Sequence, residues 1–443
     1  MEMPPVTSGV ATAAPPTPSV PQAAPVVPVA AAAPPLGRDL PEKVLGAKGR
    51  LGSLRPEAAS YATETVDILL DFAHAVGTSD LHLQPTRNGL DVKFRSDGVL
   101  QPVSVIPPGG TSSVTARLKV LADLLTYKND IPQEGRIDKP RHGREIRVST
   151  FPTMHGERAV LRFFGNDREF TTLDELGNPP QVTARIRDAL VETSGAMLIS
   201  GPAGSGKSTT LYACLRHLVT STNGSRSIVS IEDPIEVPVE GVAQSQVDLA
   251  CGFDLKTGLR SLMRQDPEVI MVGEIRDRET ADFAIQASLT GQLLLATFHS
   301  DTAASAITRL IQMGIEPFLI RSGLITVFTQ RLLRTLCGHC SRESSDPAEL
   351  CGIEVDRARV AVGCGQCHGT GYRGRAMISE FLDVRGDQIG KAILRKADSR
   401  ELYRIAIDNG MSPLFMHARS LIRDGRTSPA EVWRVLGTAV RAS

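Results

Sequence analysis

The stretch Ala196-Met-Leu-Ile199-Ser-Gly201-Pro-Ala-Gly-Ser-Gly-Lys207-Ser208 decides the reading of this chain. Four apolar residues lead into a glycine-rich octet, and the helix-forming run Thr209-Thr-Leu-Tyr-Ala-Cys-Leu215 follows it. Gly201–Ser208 fits the spacing GxxxxGK[ST] between a strand and a helix. Glycines let the backbone wrap closely around phosphates, and the loop amides and helix N-terminus turn positive dipole toward negative oxygens. In that setting Lys207 is expected to reach the β- and γ-phosphates of ATP, and Ser208 to offer its hydroxyl to Mg²⁺. Gly201, Pro202, Ala203, Gly204, Ser205, Gly206 and Thr209 are the other candidate nucleotide contacts. The bland reading, a glycine-rich turn with a surface lysine, leaves the flanking strand and helix signals unexplained.

Working outward, three more apolar runs stand out: Ile228-Val-Ser-Ile231, Val269-Ile-Met-Val272 and Leu293-Leu-Leu-Ala296. Runs this apolar indicate strands buried on both faces, hence an α/β fold with a parallel sheet covered by helices. Each ends in polar residues: Glu232-Asp233, Gly273-Glu274 and Thr297-Phe-His299. Ligands bind beyond the carboxyl ends of such strands, so four distant segments are expected to meet at one site. Glu274 is the candidate to polarise the attacking water, against a surface strand-end Glu as the bland reading. Glu232 and Asp233, with Glu236 a turn later, are candidates to hold Mg²⁺ through water or to orient the nucleophile. His299 is a candidate sensor of the γ-phosphate, although a lone His is more often structural. Asp266, before Pro267, either serves the site or only turns the chain.

The chain has 443 residues, enough for about two to four domains. Lys+Arg and Asp+Glu are both 49, and this zero net charge argues against a nucleic-acid partner held by a chain-wide electrostatic grip. No apolar run approaches the roughly 18 residues of a membrane span, and no signal-peptide pattern opens the chain. Residues 1–36 hold ten prolines among Ala, Val, Ser and Thr, so residues 1–60 are expected to be a disordered tail and linker. Order is expected from near Tyr61, with a helix over 65–75 and short alternating runs, giving a small α+β domain over 61–165. A turn-rich linker over 166–180 precedes the ATPase core at 181–335.

Seven cysteines and no secretion signal point to metal or redox chemistry in a reducing compartment, with cytoplasm as the default. Cys337-Gly-His-Cys340 and Cys364-Gly-Gln-Cys367 are two CxxC pairs, able to complete a tetrahedral four-sulfur site for structural Zn²⁺. Dithiol redox chemistry is the alternative. Cys214, Cys251 and Cys351 read as packing or incidental residues. Arg373 and Arg375 flank the module and either face a membrane partner or form a solvated basic face.

The motifs together resemble the secretion ATPases of type II secretion and type IV pilus systems. The elements that carry the resemblance are Ser79-Asp-Leu-His82, Phe94-Arg-Ser-Asp-Gly98, Pro132-Gln-Glu-Gly-Arg136, Arg147-Val-Ser-Thr150, Ile231-Glu-Asp-Pro-Ile-Glu236, Arg264 through Asp277, and Thr297-Phe-His-Ser-Asp301. The resemblance implies a RecA-like ATPase domain, a smaller PAS-like N-terminal domain, a zinc module over 336–376 and a helical region over 377–443. It also implies a homo-hexamer at the cytoplasmic face of a bacterial inner membrane, working with platform proteins to add pseudopilins. Glu274 is then the general base, Glu232 belongs to the box that positions metal and water, and Arg136 and Arg147 act as fingers on the phosphates. By spacing alone those arginines read as ordinary surface pairs.

Gln286–Gly291 and Met313–Phe318 resemble the type II secretion branch more than the pilus-assembly branch, and the cysteine module disfavours retraction. Gln292, Ser300-Asp301 and Gln84 depart from the usual residues but leave the phosphate and catalytic positions intact. Only residues 37–60 and the tail precede the first recognised domain, so the membrane-docking domain usual in the family is expected to be lacking. Rival readings are a pilus-extension ATPase, a nucleotide-binding scaffold with little turnover, and a nucleic-acid motor.

Overall fold

The computed structural model describes residues 42–137, 145–164 and 170–437. The Pro/Ala-rich tail over 1–36 lies outside them, as do residues 166–169 of the expected linker.

The small N-terminal part contains α1 (Glu42–Ser53), α2 (Tyr61–Val76) and α3 (Thr111–Leu121) with six strands. These are β1 (Asp80–Thr86), β2 (Gly89–Ser96), β3 (Val99–Ile106), β4 (Gln133–Ile137), β5 (Ile146–Thr153) and β6 (Gly156–Phe163). They form an antiparallel sheet ordered β3-β2-β1-β6-β5-β4. Alternation drives the layering, since strand side chains point to opposite faces in turn. Leu81, Leu83, Val92, Phe94, Val148 and Leu161 face a core shared with Val66, Leu69 and Phe72 of α2 and with Val114 and Leu118 of α3. Helix α1 begins earlier than the expected onset of order near Tyr61, and its buried Leu51 joins the same core.

The larger part runs α4 (Pro180–Val191), β7 (Gly195–Ser200), α5 (Lys207–Ser221), β8 (Ile228–Glu232), β9 (Ala243–Gln246), α6 (Leu255–Leu262), β10 (Val269–Val272), α7 (Arg278–Leu289), β11 (Leu293–Phe298), α8 (Ala303–Gln312), α9 (Pro317–Gly323) and β12 (Leu324–Leu336). A small lobe follows, with β13 (Arg342–Ser344), α10 (Pro347–Leu350) and β14 (Ala358–Val360). The chain then returns through β15 (Tyr372–Asp383) to α11 (Asp387–Leu394), α12 (Ser399–Asp408), α13 (Leu414–Arg423) and α14 (Pro429–Leu436).

The seven-stranded sheet is ordered β15-β12-β7-β11-β10-β8-β9. All pairs are parallel except β12 with β15. The four apolar runs of the sequence are β7, β8, β10 and β11, and every residue of these strands is buried. The register sets their carboxyl ends side by side, with Ser200 opposite Phe298 and Val272 opposite both Ile231 and Ala296.

Two further features bear on the expectations. The region from residue 377, expected to be helical, opens with the second half of β15, which pairs with β12 along its length. Its apolar run is broken by buried Ser379 and Glu380, which hid the strand in the sequence. Glu380 accepts from Tyr403 Oη at 2.7 Å and from the first amides of two helices, Ala303 N of α8 at 3.2 Å and Leu414 N of α13 at 3.3 Å. Burial pushes its carboxyl above the usual carboxylate range, against those three donors and Arg331. Arg375, read as facing a membrane partner or as part of a solvated basic face, is partly exposed and lies 3.6 Å from Asp97 of the β2–β3 turn, and Asp97 also accepts from Gly374 N at 3.0 Å.

Candidate active site

The phosphate loop leaves β7 and enters α5 with three residues in left-handed or extended-positive backbone, Gly201 at φ 147°, Gly204 at 74° and Gly206 at 88°. Gly201 is constrained by space as well. A Cβ there would stand 2.5 Å from both the Gln330 carbonyl oxygen and Ser205 Oγ. The loop therefore lies directly against β12. Gln330, fully buried on that strand, donates from Nε2 to the Ser205 carbonyl at 2.7 Å and accepts from Thr210 Oγ1 at 2.8 Å. One side chain thus fixes both the loop and the first turn of α5.

Lys207 is half-buried and folds over the loop, donating to the carbonyls of Gly201 at 2.9 Å and Pro202 at 3.1 Å. Burial lowers its ammonium below the ordinary lysine value, and the carboxylates of Glu274 and Glu236 pull it back up. These two acids are the ones that face the lysine electrostatically. Glu274 follows β10, partly exposed, and accepts from Arg276 Nε at 2.6 Å. Arg276 also lies 4.0 Å from Asp233, so one guanidinium joins the ends of β8 and β10. Asp233 and Glu236 are exposed.

Glu232 sits otherwise. It is 3% exposed, and its carboxylate accepts from Tyr212 Oη at 2.5 Å, Ser230 Oγ at 2.7 Å and Gln244 Nε2 at 2.9 Å. Tyr212 Oη in turn accepts from the Glu236 amide at 3.1 Å. Glu232 is thus the hub of a buried network that ties α5, β8 and β9 together and holds Glu236 in place. Three strong donors at one carboxylate leave it little capacity for a metal-bound water.

His299 is exposed just past β11, and its carbonyl accepts from Arg309. The next residue, Ser300, shares a hydrogen bond with Ser200 at 2.8 Å, which stitches the end of β11 to the end of β7. Asp301 is held by Arg331 at 2.9 Å. Asp266 stands at φ 49° before Pro267.

On the small sheet, Arg136 and Arg147 are direct cross-strand partners. Both lean on Glu145, at 3.6 and 3.8 Å, and Arg147 stacks 4.8 Å above the Phe164 ring.

Residues 57–434 match the family described as Type II/IV secretion system protein. The chain belongs to that family. Type II secretion system protein E of Pseudomonas aeruginosa is 42% identical to this secretion-system protein over 84% of the chain and 74% of its own length. The type IV pilus assembly ATPase PilB of Thermus thermophilus is 39% identical over 80% of the chain, which is 41% of its own length. Among solved structures, the Legionella pneumophila ATPase DotB superposes with a TM-score of 0.61 at 20% identity, covering 85% of this chain and 95% of its own. The pilus retraction motor PilT with bound ADP gives 0.54 at 23% identity, covering 83% and 95%. These two likenesses concern the fold.

The secretion-system protein also carries a cysteine cluster with the shape of a metal centre. The four sulfurs of Cys337, Cys340, Cys364 and Cys367 lie within 4.8 Å of one another. Cys337–Cys364, Cys340–Cys367 and Cys364–Cys367 are 3.9, 3.7 and 3.8 Å apart. A tetrahedron with Zn–S bonds of about 2.3 Å has edges of about 3.8 Å, so these sulfurs fit Zn²⁺. Amides of Gly363 and Gly371 donate to Cys340 Sγ at 3.3 Å and Cys367 Sγ at 3.2 Å, as a thiolate shell requires. Cys214 lies apart in the core, where burial pushes its thiol up to about 12.

Sequence reading missed Gln330, Tyr212, Gln244 and Arg276. A glutamine inside the apolar run of β12 was the one available signal.

Proposed function

We propose that this chain is an ATP hydrolase that powers pseudopilus assembly in a type II secretion system. The observation that carries the reading is the register of one parallel sheet, which sets the end of β7, where the Gly201–Ser208 loop begins, beside the ends of β11, β10 and β8, which lead to His299, Glu274 and Glu232-Asp233. ATP lies along Gly201–Thr209, with Lys207 released from the loop carbonyls onto the β- and γ-phosphates. Mg²⁺ neutralises phosphate charge when bound, and the Ser208 hydroxyl, with Asp233 and Glu236 through water, forms the hard oxygen set that suits it. Glu274 takes the proton of the attacking water. Arg276 holds that carboxylate in place by donating from Nε. His299 contacts the γ-phosphate from the neighbouring strand end. Glu232 acts by positioning: its buried network fixes Glu236 and the first turns of α5. Arg136 and Arg147 reach the phosphates from the small domain and neutralise transition-state charge.

The working form is a homo-hexamer on the cytoplasmic face of the bacterial inner membrane, bound to platform proteins. Among the described residues no helix is long and apolar enough to cross a membrane. Zn²⁺ in the four-sulfur cluster is structural, since four protein ligands close its coordination shell. Pilus extension is the second reading, supported by 39% identity to a pilus assembly ATPase.

Two measurements test this. Steady-state phosphate release by the full chain is expected to fall at least about a hundredfold in Lys207→Ala and Glu274→Gln with folding intact; unchanged rates would remove the enzyme reading. Deletion in the native host is expected to empty the medium of exported proteins and leave surface pili in place. Loss of pili alone would select the second reading.

A further inference from the structure

The antiparallel register of the small sheet lines up one row of side chains. Arg95 on β2 faces Asp80 on β1, Asp80 faces Arg162 on β6, Arg162 faces Arg147 on β5, and Arg147 faces Arg136 on β4. All five point away from α2 and α3, because their sequence neighbours Phe94, Leu81, Leu161, Val148 and Ile137 fill the core. Neighbouring strands lie about 4.8 Å apart, so Arg162, Arg147 and Arg136 stand side by side. Like charges directly opposite each other destabilise a sheet.

Among the described residues, two carboxylates serve these four guanidiniums. Asp80 takes Arg162 Nε at 2.9 Å and Arg95 Nε at 3.5 Å, and Glu145 lies between Arg136 and Arg147. The row keeps an excess of positive charge. Arg147 Nε and Arg158 Nε are shielded from solvent yet have no hydrogen-bond partner among the described residues. His82, on the same face, is held below the ordinary histidine range by burial first, with Arg95, Arg158 and Arg162 adding to it against Asp80. A self-repelling row with unspent donors is a surface that an anion would complete.

We propose that Arg162 is a third phosphate-contacting arginine beside Arg136 and Arg147, and that Asp80 is the residue that positions it. The proposal rests on the reading of Arg136 and Arg147 as phosphate fingers and extends it. Asp80 is buried and holds Arg162 by Nε, while the Arg162 side chain remains 65% exposed. Among the described residues no hydrogen bond takes its two terminal nitrogens, which can form the planar fork that grips phosphate oxygens. Asp80 belongs to the Ser79–His82 motif, and its carboxylate aims a guanidinium one strand away from the finger at 147.

The test uses the purified full chain, a fluorescent ATP analogue for binding, and steady-state phosphate release. Arg162→Ala is expected to weaken analogue binding or lower kcat/KM by about ten- to a hundredfold and to flatten the salt dependence, with melting temperature retained. Arg162→Lys is expected to recover little, since lysine lacks the fork. Asp80→Asn is expected to lower kcat/KM less, and to have no further effect on it in the Arg162→Ala background. Arg147→Ala serves as the reference for the finger reading, and Arg87→Ala, in the exposed β1–β2 turn, as the control. If Arg162→Ala behaves like Arg87→Ala while Arg147→Ala is impaired, the proposal fails and the finger reading stands. If Arg147→Ala is also like the control, the finger reading itself fails and the proposal falls with it.

Discussion

Gln330 and Ser205, 125 residues apart in sequence, are joined by a buried 2.7 Å hydrogen bond that pins the phosphate loop to β12. Because the same glutamine also accepts from Thr210, removing it strands two buried polar groups. Each costs about 1–3 kcal/mol. Gln330→Leu is therefore expected to lower unfolding free energy by about 2–6 kcal/mol and to weaken ATP binding. Denaturant melts and nucleotide titrations check this. Gly201→Ala is expected to weaken binding too, because the added methyl meets the Gln330 carbonyl.

Tyr212→Phe probes the buried network of Glu232. It removes the donor to the carboxylate and the acceptor for the Glu236 amide. The expected outcome is a loss of about 1–3 kcal/mol in stability and a lower kcat, as Glu236 loses its anchor. If Glu232 instead acts directly on water, Tyr212→Phe would leave Glu232 free and kcat at or above the native value.

The cysteine cluster is expected to hold one zinc per chain, read by elemental analysis of purified protein. Cys364→Ser is expected to lose the metal and lower the melting temperature. The sulfur spacing near 3.8 Å fits a closed metal shell. A metal-free protein with a reversible disulfide would favour the redox alternative.

Glu380 gives a pH dependence with a definite sign. Its folded pKa is raised by burial, so the folded state binds more protons than the unfolded one above the ordinary carboxylate value. Its contribution is fully present below that value and is lost as pH rises through the raised folded pKa. Glu380→Gln is expected to flatten the decline in stability over this window just above the ordinary Glu range, measured by thermal melts against pH.

Much of this was legible in the sequence because the chemistry is local. Gly201–Ser208 is contiguous, and β7, β8, β10 and β11 are apolar on both faces, which no surface strand is. The cysteine cluster was legible because spacing within each CxxC pair is set by a turn. Strand β15 was not, since Ser379 and Glu380 interrupt its run and find their partners up to 201 residues away. The buried state of Glu232 was hidden for the same reason: two of its donors lie 12 and 20 residues off. The arginine row is visible only once the register of five strands is known.

The most direct test of the account is a crystal structure of the full chain with Mg²⁺ and a nonhydrolysable ATP analogue. The account predicts that Lys207 Nζ leaves the carbonyls of Gly201 and Pro202 for the terminal phosphate, with the Glu274 carboxylate on the far side of the same phosphorus. An analogue bound elsewhere, or a terminal phosphate that Lys207 and Glu274 do not share, would contradict it.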